Sequence, residues 1–191
     1  LHVNTFLNYS NFSTFTWNFI DVYLIILSVL LTDKFACINR KLRLKNQLCP
    51  SPVFWEEVWQ GYKVAAELVD QTNDLHGGTI LISFFSNLYF ICVQLLGCFK
   101  SETSIFDGLY LWFSLLFLVG RTLALCLFAS KINDESMKPL DVLRSIHSDH
   151  FNITMDRFQE HLMNGKIALT GLNLFLLTRK LILNVNMTRT T

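Results

Sequence analysis

Charged side chains are scarce: Asp, Glu, Lys and Arg make up 16% of the 191 residues, against about a quarter in a soluble domain. A small globule exposes much of its surface and needs polar side chains to cover it, so the deficit argues against a soluble fold. An excess of either sign is lacking too. Sixteen basic residues stand against 15 acidic ones, a net charge of +1, which leaves no basic footprint for nucleic acid. The cysteines, Cys37, Cys49, Cys92, Cys98 and Cys126, are odd in number and without paired spacing, so no disulfide framework follows. The phosphate-binding loop, the dinucleotide fingerprint, G-x-S-x-G and H-E-x-x-H are all missing. His147, His150 and His161 match no zinc spacing. Neither an enzyme nor a cofactor nor a metal is therefore expected.

What the chain has instead is apolar sequence, 51% hydrophobic and 14% aromatic, with 17 phenylalanines. It is gathered into runs. The stretch 77–99 is uncharged, and 109–129 is broken only by Arg121. At 1.5 Å per residue each reaches about 30 Å, the thickness of a hydrocarbon core. An earlier run, 14–32, carries Asn18 and Asp21, and a weaker one, 168–185, is interrupted by Arg179 and Lys180. Buried core helices of a soluble protein can be this apolar, but two such runs separated by a short connector are hard to pack in water. A helical hairpin through a bilayer satisfies their backbones. The expected fold class is all-α, a polytopic membrane helical bundle.

Basic residues set the expected orientation. Lys34, Arg40, Lys41, Arg43, Lys45 and Lys63 fall in 33–76, and Lys131, Lys138, Arg144, Arg157 and Lys166 fall in 130–167. Segment 1–13 has none, and 100–108 has only Lys100. Positive charge stays on the cytoplasmic side. Segments 1–13 and 100–108 are thus predicted outside, and 33–76 and 130–167 inside. Sequons at Asn8, Asn11 and Asn186 would fall outside, and the one at Asn152 inside. Residues 1–13 lack the basic and apolar pattern of a leader, so further spans are expected upstream.

Within 33–76, Ser51-Pro52 is a helix start. Trp55, Val58, Trp59, Tyr62, Ala65, Ala66 and Val69 then recur at helical spacing. This predicts an amphipathic helix over 52–73, either a stalk beneath the membrane or an interfacial helix, with Gly77-Gly78 as a break before the next run. A shorter helix, 154–163, would bury Phe158 and Leu162.

Several polar residues lie inside the runs, where they are costly and usually partnered or functional. Asp21 sits a little over a turn inside the outer edge of its run and shares a face with Trp17. An aromatic plane beside a carboxylate suits a polyhydroxy ligand; a boundary position in the interface is the plainer reading. Arg121 is deeper and reads as a structural ion pair. Asn87 and Gln94, on one face, read as interhelical hydrogen-bonding groups. Tyr110 and Trp112 suit an aromatic belt, with pocket lining as the second reading.

Four stretches, in order, carry a resemblance. WNFIDVYLIILSVLL (17–31), NLYFICVQLLGCF (87–99), FLVGRTLALCLFASKINDESMKPL (117–140) and IALTGLNLFLLTRKLIL (167–183) resemble helices four, five, six and seven of insect gustatory receptors, closest to the sugar-sensing group. The resemblance implies the insect chemoreceptor channel fold, a tetrameric ligand-gated cation channel, homomeric or heteromeric, in the plasma membrane of sensory neurons. Its ligand would be a small sugar. It implies ligand-binding roles for Trp17, Asp21, Tyr110 and Trp112. Arg121, Glu135, Pro139, Phe158, Thr170 and Gly171 would be structural or anchor residues. It also implies an incomplete chain, since helices one to three would precede it and the tail 186–191 has no pore-lining segment. A noncatalytic accessory or dominant-negative subunit and a solute-transporter fragment are the competing readings.

Overall fold

The computed structural model describes residues 2–45, 51–98, 105–146 and 153–179, with side chains described over 18–44, 51–98, 108–146 and 153–179. Four helices account for most of it: α1 (His2–Lys45), α2 (Pro52–Cys98), α3 (Ile105–Arg144) and α4 (Ile153–Asn164). α1 packs most extensively on α3, α2 lies against both, and α4 closes one end against α2 and α3. Strand pairing among the described residues is limited to the bridge between Thr170 and Leu176.

The apolar runs lie within helices that extend well past them. In the apolar windows of α2 and α3 only 17% and 22% of the side chains are buried. A core helix of a soluble protein would bury most of its side chains, so these two are candidate membrane-spanning helices and the protein is membrane-associated. The buried residues concentrate at the other end. Along the bundle α1 presents Leu24, Ser28, Leu31, Phe35, Asn39 and Leu42, a stripe at helical spacing that reaches that end at Phe35, Asn39 and Leu42. α2 presents Trp55, Val58, Tyr62, Ala65, Ala66 and Val69, the face its periodicity marks. Tyr62 is the hub: its ring meets Phe35 at 5.5 Å and Phe158 of α4 at 5.0 Å. Trp59 meets Phe158 at 5.2 Å.

Two expectations change. Gly77-Gly78 does not break the chain; α2 runs unbroken through both. Each interior glycine costs about 1 kcal/mol relative to alanine, but Gly77 has a packing reason: a Cβ there would lie 3.2 Å from the backbone nitrogen of Leu172. The run placed at 168–185 is non-helical through Thr178. Residues 165–178 instead form a hairpin, turning at Leu172 and Asn173, both at positive φ (51° and 59°). Residues 180–185 and the tail 186–191 lie outside the described residues.

Pro139 stands inside α3. Lacking an N–H, it leaves the Glu135 carbonyl without its helical donor. Asn39 of α1 supplies the replacement, donating to that carbonyl at 2.9 Å and to Glu135 Oε2 at 3.0 Å. One residue further on, the Tyr62 hydroxyl donates to the Ser136 carbonyl at 3.1 Å. Both neighbouring helices thus bond to the backbone at the proline. Burial pushes the Glu135 carboxyl up, but hydrogen bonds from Lys138 and Asn39 and the charges of Lys138 and Arg43 outweigh it and hold the group below its ordinary 4.5.

Glu135 therefore contributes stability above the ordinary carboxylate value, and that contribution is lost as pH falls through the lower folded value. The thermal midpoint in detergent should fall across that window in the native chain and fall less in Glu135→Gln. Separately, Phe158 is fully buried, so Phe158→Ala should cost about 3 kcal/mol, read as faster proteolysis at α4.

Candidate functional site

Asp21 continues the buried stripe of α1, which aims it into the bundle rather than toward lipid; it is 1% exposed. Helix α2 brings Ser83 and Asn87, one turn apart, to the same point, and α3 brings Arg121. Ser83 Oγ donates to Asp21 Oδ1. Asn87 Nδ2 donates to Asp21 Oδ2 at 2.9 Å, and Arg121 Nη2 donates to Asn87 Oδ1 at 2.7 Å. Arg121 Nε lies 2.8 Å from Asp21 Oδ2. That contact is one of charge, because the Nε–H itself is not aimed within hydrogen-bond geometry. Both carboxylate oxygens are occupied, and the three long helices meet at one neutralised cluster. In a low-dielectric setting such groups are costly unless paired and bonded in this way.

Farther along the α2–α3 seam, Gln94 Nε2 donates to Ser114 Oγ at 3.0 Å, and the buried Gln94 Oε1 has no partner. Asn87 and Gln94 thus both bond across helices. Tyr110 and Trp112 are exposed, at 72% and 61%, and lie about 14–17 Å along α3 from Arg121. The structure does not bring them to Asp21. The side chain of Trp17 lies outside the described residues. Thr170 and Gly171 sit in the hairpin against α2: the Thr170 amide donates to Asn73 Oδ1 at 2.9 Å, and a Cβ on Gly171 would lie 3.4 Å from Leu81 Cα.

Two residues escaped the sequence reading. Ser83 looked like one more small residue in an uncharged run, and no local signal marks it. Asn39 had a signal in Pro139, which opens a carbonyl that some donor must fill, but the sequence did not say from where. Among the described residues no group of three His, Cys, Asp or Glu side chains is placed to hold a metal ion.

The sequence model of the trehalose receptor family matches residues 2–191. The chain belongs to the trehalose receptor family. It is 40% identical over 174 residues to the gustatory receptor for sugar taste 64f of Drosophila melanogaster, covering 91% of this chain and 37% of that one. It is 38% identical over 170 residues to gustatory receptor 5a for trehalose of the same species, covering 89% and 38%. The gustatory receptor for sugar taste 64a is 33% identical over 170 residues. The chain therefore spans under two-fifths of the length of these curated relatives. It is a homologue of receptors named for sugar taste and trehalose.

Truncating one member of a buried charge pair leaves the other uncompensated. Asp21→Ala and Arg121→Ala should each destabilise the bundle by about 3 kcal/mol, and the double variant by clearly less than the sum. Equilibrium unfolding of the four proteins in detergent checks this; additive losses would mean the two residues act independently.

Proposed function

We propose that this trehalose receptor family member acts in a gustatory receptor, a ligand-gated nonselective cation channel in the plasma membrane of sensory neurons that responds to sugars. The observation that carries the reading is the Asp21–Arg121 cluster joining all three long helices, in a chain whose relatives are named for sugar taste and trehalose. α1, α2 and α3 correspond to the fourth, fifth and sixth helices of the chemoreceptor channel fold, with the apolar ends spanning the membrane and the end containing Tyr62, Glu135, Pro139 and Phe158 in the cytoplasm. Homomeric or heteromeric tetramers assemble through that cytoplasmic end. The sequons at Asn8 and Asn11 carry glycans outside.

The sugar enters from outside, between the helices, toward the cluster. Trp17 lies one turn from Asp21 on the same helix face and offers a ring for stacking. Asp21 offers a carboxylate whose Oδ1 is held only by a hydroxyl, and a sugar hydroxyl can exchange with it at little cost. Tyr110 and Trp112 line the outer approach. Exchange at Oδ1 alters the bonding that holds α3 to α1 and α2. A ligand shifts such an equilibrium only by its different affinity for the two arrangements.

A chimera tests this. The matching segment of the gustatory receptor for sugar taste 64f is replaced by this chain's residues and expressed in oocytes. The expected result is a concentration-dependent inward current evoked by sugar. Asp21→Asn in the chimera should shift the half-maximal concentration about tenfold, the effect of roughly 1.4 kcal/mol of lost interaction. Normal surface expression without any sugar-evoked current would sink the channel reading, and uptake of labelled solute without current would favour a transporter.

A further inference from the structure

The hairpin at 165–178 has an unusual distribution of side chains. From Ile167 to Thr178 it contains no charged residue, yet it is bracketed by Lys166 and Arg179. Its base is fixed by charge and amides: Arg179 Nε lies 2.6 Å from Asp134 Oδ2 of α3, and Asn133 Nδ2 donates to the Ile167 carbonyl at 3.2 Å. Its tip is apolar and uncovered, with Leu172 56% and Leu174 72% exposed.

The tip also defies ordinary turn chemistry. Two consecutive central residues at positive φ favour Asn-Gly in a hairpin exposed to water. Here they are Leu172 and Asn173, and a leucine in this region costs about 1 kcal/mol or more. An exposed, strained leucine followed by a second exposed leucine suits a tip whose surroundings are not water.

The hairpin's place on α2 says what those surroundings are. Asn73 reads its edge as a neighbouring strand would, donating to the Ala168 carbonyl at 3.0 Å and accepting from the Thr170 amide. Beyond Gly171, the chain lies against Leu81, and Phe175 packs on Phe84 at 5.0 Å. The Leu172 backbone lies beside Gly77 itself, and Phe84 is seven residues inside the uncharged run that begins at Gly77, about 10 Å along the helix. That is the depth at which interfacial segments seat their apolar side chains. The α2 side chains Ile82, Phe85 and Leu88, on the same stretch of helix, are exposed and apolar as well. The backbone is equipped for such a site. The turn is closed by Leu174 N–H to the Gly171 carbonyl at 3.0 Å, and Leu177 N–H bonds the Leu169 carbonyl at 2.9 Å. Non-helical backbone at membrane depth requires this internal satisfaction.

We propose that the hairpin is a membrane anchor: its Leu172–Leu174 tip inserts into the headgroup and acyl-chain boundary of the bilayer, with Lys166 and Arg179 at the headgroup level. The proposal rests on the membrane-spanning reading of α2. The test replaces Leu174, Leu88 or Glu67 singly with a photoreactive phenylalanine in the full chain, reconstituted in phosphatidylcholine–phosphatidylserine nanodiscs. All three side chains are exposed, so the substitutions leave the packing intact. Mass spectrometry should find lipid adducts at Leu174 in yield comparable to Leu88 and at least about fivefold above Glu67, the aqueous reference. Adducts at Leu174 no more frequent than at Glu67, or adducts chiefly to a second copy of the chain, would overturn the anchor while Leu88 still labels lipid. Failure at Leu88 as well would overturn the spanning reading of α2 and the anchor with it.

Discussion

The arrangement of the three long helices depends on one constraint: a carboxylate and a guanidinium placed among apolar side chains must find each other. Asp21 and Arg121 do so, and Ser83 and Asn87 complete the bonding of the carboxylate. The attraction between lipid-facing apolar surfaces supplies little preference for one helix packing over another. A single buried ion pair with directional partners supplies a great deal, because any rotation or slide that separates it strands a charge. The pair therefore fixes both which faces of α1, α2 and α3 meet and at what level.

A second polar junction does the same work at the other end of the bundle, by a different route. There the disturbance is in the backbone. Pro139 removes a donor from α3, and Asn39 and Tyr62 reach in from α1 and α2 to the carbonyls beside it. Around this junction the packing is aromatic, with Phe35, Tyr62, Trp59 and Phe158 in contact. The two junctions lie on the same stripe of α1, at Asp21 and Asn39, so that helix carries both. A ligand that disturbed the first junction would act on a rod held at the second. This is a mechanical arrangement suited to the signalling role proposed for a member of the trehalose receptor family.

Much of this was legible in the residues, and what was not shares a cause. The stripe of Trp55, Val58, Tyr62, Ala65, Ala66 and Val69 announced the buried face of α2, because a helix facing a core must repeat its apolar positions at its own period. Asn87 and Gln94 were readable as cross-helix groups because amides in an uncharged run have few other uses. The partners of Asp21 were not legible, since Ser83, Asn87 and Arg121 lie far along the chain and only the packing brings them together. Residues 168–178, expected as the start of a helix over 168–185, form a hairpin instead, because an uncharged stretch of leucines has the same composition in either form. Its turn is imposed by Asn73, Asn133 and the close approach at Gly77, all remote in sequence.

By itself, then, the sequence determined the all-α character, the apolar segments and the scarcity of charge that makes each buried charge consequential. Composition and period are local properties, and helices in an apolar setting must satisfy their own backbones wherever they lie. Tertiary structure alone decided the partners: Ser83 for Asp21, Asn39 for the carbonyl opened by Pro139, and α2 as the template for the hairpin. Each of those choices joins residues separated by scores of positions, and nothing in the neighbourhood of either partner encodes the other. Only the register of packed helices brings them within hydrogen-bonding distance.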